Sequence, residues 1–383
     1  MHVALVHIKH AASGGVEAYL TNLARFLAQA GHSVSIICYA HTEPPHPAVR
    51  FVRLRPFNLG GAWKMWAFAK AVERHVAETR YDVVYGLGKT WSQDVIRLGG
   101  GCHQTYLDLA GDAERRFLHP PGGGWLKNRT ALAIEKRSLS AGAYRRVITN
   151  SEMVKRDVCA RHNVPPDLVT VIHNGVDLER FHPRLRETVG ADLRRACGFG
   201  PEHQVILFLG SGYARKGLDL VLDAFPAVLA RRPSARLLVV GYDSAQAAYQ
   251  ARTQRAGVDQ AVCFLGGRRD VPACYAAADL YVLPTRYDPF ANSTLEALAT
   301  GLPVITSDAN GGAEVITSGV EGAVVPNTSS REHLGEQLCL WTDPERMLAA
   351  RVPARVCSQR HALQGKMAQA AEMLNEIGRS RAG

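Results

Sequence analysis

The stretch Leu283–Thr306, LPTRYDPFANSTLEALATGLPVIT, sets a strand end, a turn, a helix and the start of another strand around two carboxylates, Asp288 and Glu296. The preceding apolar run Leu280-Tyr281-Val282-Leu283 predicts a buried strand that Pro284 stops. Ser293–Ala299 predicts a helix ended by Gly301 and Pro303, and Val304-Ile305-Thr306 opens the next strand. Such alternation belongs to an open parallel sheet, in which ligands lie beyond the carboxyl ends of the strands. Asp288 then starts a crevice-facing loop. Glu296 falls one to two turns inside the helix, where its carboxylate can accept two hydrogen bonds from a vicinal diol such as a ribose. The loop between them presents backbone N–H groups at a helix N-terminus, which favours an anion, most often phosphate. An isolated pair of carboxylates is ordinarily a cap and a solvated face residue. Here the flanking strand and turn signals argue for more.

Upstream, the same alternation repeats. Gln204–Leu209 predicts a strand, GSGYARKG (210–217) a turn, and Leu218–Arg231 a helix. Arg236–Gly241 and Val262–Gly267 are further strands, and Pro272–Ala278 a helix. Three strand ends therefore carry different chemistry: Arg215 and Lys216 are cationic, Gly267 is open to a flat ring, and Asp288 with Glu296 is anionic. A nucleotide diphosphate-sugar needs that set, with the cations and helix N-termini on the diphosphate, backbone near Gly267 on the base, and Glu296 on the ribose.

The first half opens as βαβ. Val3–His7 predicts a strand, Ser13-Gly14-Gly15-Val16-Glu17 a glycine turn, Ala18–Ala30 a helix and Ser33–Tyr39 a second strand. The turn lacks G-x-G-x-x-G spacing, so it is not a dinucleotide fingerprint. Trp63–Thr79 has helical apolar spacing, Asp82–Gly86 and Val95–Leu98 read as strands, and His103 follows the latter, where a ligand or acceptor role and a structural one weigh equally. Pro120–Gly124 reads as a mobile connection for a large acceptor. His173-Asn174-Gly175-Val176-Asp177 reads as the hinge, giving one domain over 1–174, a second over 175–361, and a final helix over about 362–383 that returns to the first.

A chain of 383 residues exceeds the length at which single cores stop growing, roughly 250–300 residues, and so fits two domains. No run approaches the roughly 20 apolar residues of a membrane span, no signal-peptide layout opens the chain, and the 8 cysteines form no C-x-x-C pair. A cytoplasmic location with reduced thiols and no metal site is expected. The net charge of +10 is uneven: residues 1–184 hold 24 Lys and Arg against 15 Asp and Glu, the remainder 21 against 20. Four of the five tryptophans (63, 66, 91 and 125) share the basic half. Interfacial Trp beside Lys and Arg points to an anionic membrane surface or an anionic lipid-linked substrate. A plain solvated basic face is the simpler alternative. No zinc-finger spacing, RNP-type pattern or helix-turn-helix supports nucleic acid.

Asp288 to Glu296, followed by Ala297–Val304, resembles the E-x7-E signature of the retaining glycosyltransferases of family 4. The Ser13–Glu17 turn, the 173–177 hinge with Phe181, Arg215-Lys216-Gly217, and Ala277-Ala278-Asp279-Leu280 fit the same family. GSGYARKG and YDPFANSTLEA are further similar to its lipopolysaccharide core glucosyltransferase branch. The resemblance implies an α/β GT-B fold of two facing Rossmann-like domains with parallel sheets and a deep interdomain cleft that closes about Asn174-Gly175. It implies that Asp288 meets the donor sugar, that Phe290, Ala291 and Asn292 offer backbone N–H groups to sugar and phosphate, that Ser293 offers its hydroxyl to the phosphate, and that Glu296 holds the ribose. Arg215 and Lys216 stabilise the leaving diphosphate, Gly14 and Gly15 belong to the loop that closes on the donor, and His103 faces the transferred sugar. Three positions depart from the family pattern: Asp288 for Glu, Ala291 for Gly, and Ser211 for Arg.

The expected activity is retaining, metal-independent transfer of a hexose, glucose from UDP-glucose, to a lipopolysaccharide core or other lipid-linked glycan at the cytoplasmic face of the inner membrane. No D-x-D motif is present to hold a metal on the diphosphate, and no other cofactor is expected. The alternatives are an NDP-sugar epimerase or phosphorylase on the same fold, for the latter of which no pyridoxal lysine stands out, and a non-catalytic membrane-associated scaffold.

Overall fold

A computed structural model describes residues 1–10, 14–109 and 124–382. Ser13 and the Pro120–Gly123 part of the expected mobile connection lie outside the described residues. The chain divides into two compact units. Of the described residues, the first gathers Met1–Asp108, 124–174 and the last helix from Gln364; the second gathers Leu109 and Gly175–Leu363.

The first unit is a seven-stranded, wholly parallel sheet of β1 (His2–Val6), β2 (Ser33–Cys38), β3 (Val49–Arg53), β4 (Val83–Gly86), β5 (Val95–Leu98), β6 (Arg146–Thr149) and β7 (Val169–Val171), in the order β3-β2-β1-β4-β5-β6-β7. Its strand β1 carries an unbroken apolar run, Val3-Ala4-Leu5-Val6, with every residue fully buried, as a parallel strand covered on both faces requires. Val3 pairs with Val34 on one side and Val83 on the other, so the strand order reverses between β1 and β4. The final helix, Leu363–Ala382, lies against this sheet's N-terminal edge: a Cβ at Gly378 would meet Met1 Sδ at 2.5 Å and Val83 Cγ2 at 3.2 Å.

The second unit has six parallel strands, β8 (Gln204–Leu209), β9 (Ala235–Val240), β10 (Val262–Gly266), β11 (Leu280–Leu283), β12 (Val304–Ser307) and β13 (Gly322–Val325), in the order β10-β9-β8-β11-β12-β13. Its order reverses between β8 and β11, which puts the loops after those two strands at the switch point where α/β sheets bind ligands. The outgoing and returning chain segments pair here, with Val176 N–H donating to His361 O and Leu363 N–H to Val176 O, both at 2.9 Å.

Two local readings shift. The helix expected from Ala18 begins at Gly15, because Gly14, at φ 118°, ends the turn and Glu17 folds back over it; a Cβ at Gly14 would lie 2.1 Å from the Glu17 carboxylate. Inside the 210–217 turn a single helical turn forms, Tyr213–Lys216, bracketed by left-handed glycines at 212 and 217.

Candidate functional site

The loop after β8 and the loop after β11 are tied together by backbone as well as charge. Arg215 O accepts from Arg286 N–H at 2.8 Å and from the Thr285 hydroxyl at 3.0 Å. Arg286 also forks onto the Asp219 carboxylate at 2.9 and 2.6 Å. Gly217 allows this approach: at φ +79° a Cβ there would stand 2.1 Å from Pro284 O. The joint carries Arg215 and Lys216 to the switch point on one side and Asp288 on the other.

Those three side chains meet. Lys216 Nζ and Arg215 Nη1 both donate to Asp288 Oδ2, the arginine at 3.2 Å, and Arg215 Nη1 also reaches Tyr287 O at 3.0 Å. The side chains are only 10–19% exposed. Burial pushes the Asp288 carboxyl upward, but the Lys216 and Arg215 charges outweigh it and hold the group below the usual aspartate range. The expected convergence of cations and anion is therefore direct contact. Asp288, shorter than the family's Glu, is drawn back onto the cations, and its Oδ1 accepts from Phe290 N–H at 3.1 Å.

The helix Asn292–Ala299 starts without a side-chain cap. Of the backbone donors expected to face a ligand, Phe290 N–H is engaged within the protein by Asp288 and Ala291 N–H by Asn310 Oδ1 at 3.0 Å. That corrects the picture of a bare N–H row. A short, acidic residue at 288 and a buried amide at 310 occupy these donors instead. Ser293 Oγ and the Tyr281 hydroxyl are hydrogen-bonded at 2.7 Å, and the Tyr281 hydroxyl also lies 3.2 Å from Leu209 O. Glu296 Oε2 accepts from the buried Tyr275 hydroxyl at 2.8 Å. Burial raises the Glu296 carboxyl above its ordinary value, and the Tyr275 hydrogen bond and the Arg180 charge pull the other way. Beside these, Gly267 is exposed at the end of β10, next to Tyr242, which is 71% exposed.

Asn310 was not singled out in the sequence, although it organises this loop. Fully enclosed, it accepts from Ala291 and Gly312 N–H and donates from Nδ2 to Thr294 and Thr306, both at 3.0 Å. An Asn placed between a strand end and Gly311-Gly312 reads as an ordinary turn residue. Tyr275 was likewise hidden inside an apolar helix pattern.

In the first unit His103 opens the short helix His103–Leu109 rather than standing in a loop. Its N–H donates to the Glu135 carboxylate at 3.0 Å and its Nε2 lies 3.1 Å from Asn128 Oδ1. Burial, helped by the Lys89 charge, keeps the imidazole below its ordinary value and so neutral near pH 7. Glu135, Cys102 and His162 bring three ligand-type atoms within 4.8 Å of one another. Burial, with Asp157 and Glu135 close by, pushes the Cys102 thiol up, and Glu135 is bonded to His103 and His162. The trio fits a hydrogen-bonded support for His103. Gly14 and Gly15 stand at the first helix's start.

Two family models match the chain, one described as Glycosyltransferase Family 4 over residues 13–180 and one as Glycosyl transferases group 1 over residues 203–343. The chain belongs to these family 4 glycosyltransferases. It is 29% identical to an uncharacterized glycosyltransferase of Methanocaldococcus jannaschii, over 81% of this chain and 80% of that one. It is 25% identical to the lipopolysaccharide glucosyltransferase WaaG of Escherichia coli, over 91% of each. Among solved structures it matches a WaaG involved in lipopolysaccharide biosynthesis with a TM-score of 0.79 at 23% identity, covering 97% of this chain and 99% of that one. It also matches Anabaena Alr3699/HepE in complex with UDP and glucose, with a TM-score of 0.73 at 20% identity, over 98% and 100%. Both likenesses are of fold, two parallel-sheet α/β units of the GT-B kind.

Proposed function

We propose that the chain is a retaining, metal-independent hexosyltransferase that moves glucose from UDP-glucose to a lipopolysaccharide core or another lipid-linked glycan. The observation that carries this is the Arg215–Lys216–Asp288 cluster beside Glu296 at the β8/β11 switch point. The likeness to WaaG and to a fold neighbour solved with UDP and glucose supports the donor and acceptor class. The diphosphate takes the two cations in place of Asp288, and the released carboxylate turns to the sugar hydroxyls. Glu296 accepts from the ribose diol, the Ser293 hydroxyl donates to phosphate, and the base lies over the open face at Gly267 and Tyr242. In the reaction the anomeric carbon–phosphate oxygen bond breaks while the acceptor oxygen bonds to the same face. The acceptor's proton passes to the leaving phosphate oxygen, and the cations carry the developing charge.

No described helix is long and apolar enough to cross a membrane. A docking face for an anionic bilayer lies on the first unit, where the helices Gly61–Glu78 and Gly124–Ser138 begin side by side. Phe57, Leu59, Trp63, Trp125 and Leu126 stand 47–74% exposed there, and Arg129 stacks on Trp125 at 4.5 Å.

The test incubates the protein with UDP-glucose and a lipopolysaccharide core lacking its first hexose, with and without EDTA, and reads the product linkage by NMR. An α-linked glucose formed equally in both arms supports the proposal. Conversion of the nucleotide sugar without acceptor would establish the epimerase, and donor binding without turnover the scaffold.

A further inference from the structure

A cavity of about 310 Å³ opens at the β1/β4 switch point of the first unit, lined among others by His7, Lys89, Gln93, Arg97 and His103. Its lining holds N–H donors that lack acceptors among the described residues. Gln93, 9% exposed, has its Oε1 taken by the Thr90 hydroxyl at 3.0 Å while its Nε2 is unsatisfied. Arg97, 4% exposed, donates one Nη2 bond to Asn174 at 2.7 Å and lies 3.7 Å over the Tyr19 ring, but its Nε has no partner. Lys89 makes no side-chain hydrogen bond with a described residue, and the carboxylate whose charge it feels is Glu135. Glycines make room for these groups: a Cβ at Gly86 would sit 3.0 Å from the Gln93 amide oxygen, and one at Gly99 would sit 2.2 Å from Arg97 Nη1. Lys89 holds a left-handed backbone at φ 64°, a conformation that is uncommon outside glycine and that clusters at ligand sites.

Buried donors without acceptors are costly, so the cavity is complementary to a ligand that brings acceptors and negative charge. Two cations face one carboxylate in the lining, Glu135, and that one is bonded to His103 and His162. The volume exceeds what a lone oxyanion fills and sits at the lower end of small-molecule sites, roughly 300 Å³. We infer that this cavity binds an anionic monosaccharide unit of the acceptor, a sugar ring carrying a phosphate or a carboxylate, with Lys89, Arg97 and Gln93 on the oxyanion. The inference deepens the acceptor side of the proposed transfer and rests on it. Burial depresses the Lys89 ammonium, which an oxyanion partner would restore.

The test titrates glucose 6-phosphate, glucuronate, inorganic phosphate and glucose into the full chain by calorimetry, comparing wild type with Lys89→Ala and Gln93→Leu, each checked for folding by circular dichroism. The heat shift given by UDP-glucose is read on the same samples. Glucose 6-phosphate or glucuronate should bind at least tenfold more tightly than glucose or inorganic phosphate, and whichever does so names the oxyanion. Lys89→Ala should erase that margin and Gln93→Leu reduce it several-fold, with the UDP-glucose shift unchanged. No margin for either anionic sugar, or a margin that survives both substitutions, in protein that keeps its UDP-glucose shift, would overturn the inference. A wild type that keeps the margin but gives no UDP-glucose shift would leave the cavity assignment standing and count against the donor site instead.

Discussion

Replacing Asp288 with Asn separates the two roles of the cation cluster. The amide keeps the shape but removes the charge that both Lys216 and Arg215 address through Oδ2. Because the three side chains are mostly buried, breaking the pair falls in the range of buried ion pairs that lose one partner, about 3–5 kcal/mol, and not that of surface pairs, about 0–1 kcal/mol. At about 2–4 °C per kcal/mol for a unit of this size, the lower bound of 3 kcal/mol is a melting-temperature loss of about 6–12 °C. The loss depends on pH with a definite sign. The folded-state value of Asp288 lies below the ordinary aspartate value, so its contribution is complete above that ordinary value and fades as the pH falls through the depressed one. Wild type and Asp288→Asn should therefore converge in stability in strong acid. UDP should bind the variant more tightly, by about tenfold or 1.4 kcal/mol, since the diphosphate no longer competes with a carboxylate, while transfer falls. Urea unfolding across pH and calorimetry with UDP read both quantities. A stability loss below about 1 kcal/mol with unchanged UDP affinity would refute the reasoning.

Asn310→Ala strands the Ala291 and Gly312 N–H groups in the interior and should destabilise by about 2 kcal/mol, read as a shift in the urea midpoint at constant slope. Tyr275→Phe removes the hydrogen bond that holds the Glu296 carboxyl down; donor affinity, which needs the carboxylate, should fail at a higher pH than in wild type, visible in the pH profile of the donor KM. Gly217→Ala forces a Cβ toward Pro284 O in a left-handed conformation and should lose at least 2 kcal/mol of stability, more than an ordinary left-handed Gly→Ala change, about 1 kcal/mol, checked by thermal unfolding. Vesicles of anionic lipid should sediment the wild type and not a Trp63→Ser/Trp125→Ser variant, with zwitterionic vesicles retaining neither.

Much of this architecture was legible because parallel strands buried on both faces are continuous apolar runs. Val3–Val6, Gln204–Leu209 and Leu280–Leu283 announce themselves, and the glycines and prolines between them mark the loops. Arg215, Lys216 and Asp288 stand out as charges in the loops after strands, and Glu296 as a carboxylate inside the helix that follows. What local sequence does not carry is which charge finds which partner. That the two cations close on Asp288, that Asn310 occupies the Ala291 N–H, and that Tyr275 reaches Glu296 all depend on contacts 19 to 73 residues apart in the chain. The donors of the cavity around Lys89 lie within nine residues of one another, but which of their N–H groups find acceptors depends on distant partners such as Asn174 and Tyr19. The first helix's start was misplaced because the Gly14-Gly15 pair reads as a turn until Glu17 is seen to fold over it.

The donor site is tested most directly by heat stabilisation of wild type, Glu296→Ala and Lys216→Ala against a panel of UDP-, GDP- and ADP-sugars, where saturation at a hundred times Kd is worth about 2.7 kcal/mol. The account predicts a clear upward shift with UDP-glucose in the wild type that both variants lose. A shift of equal size in all three proteins, or none with any nucleotide sugar in the wild type, would contradict it.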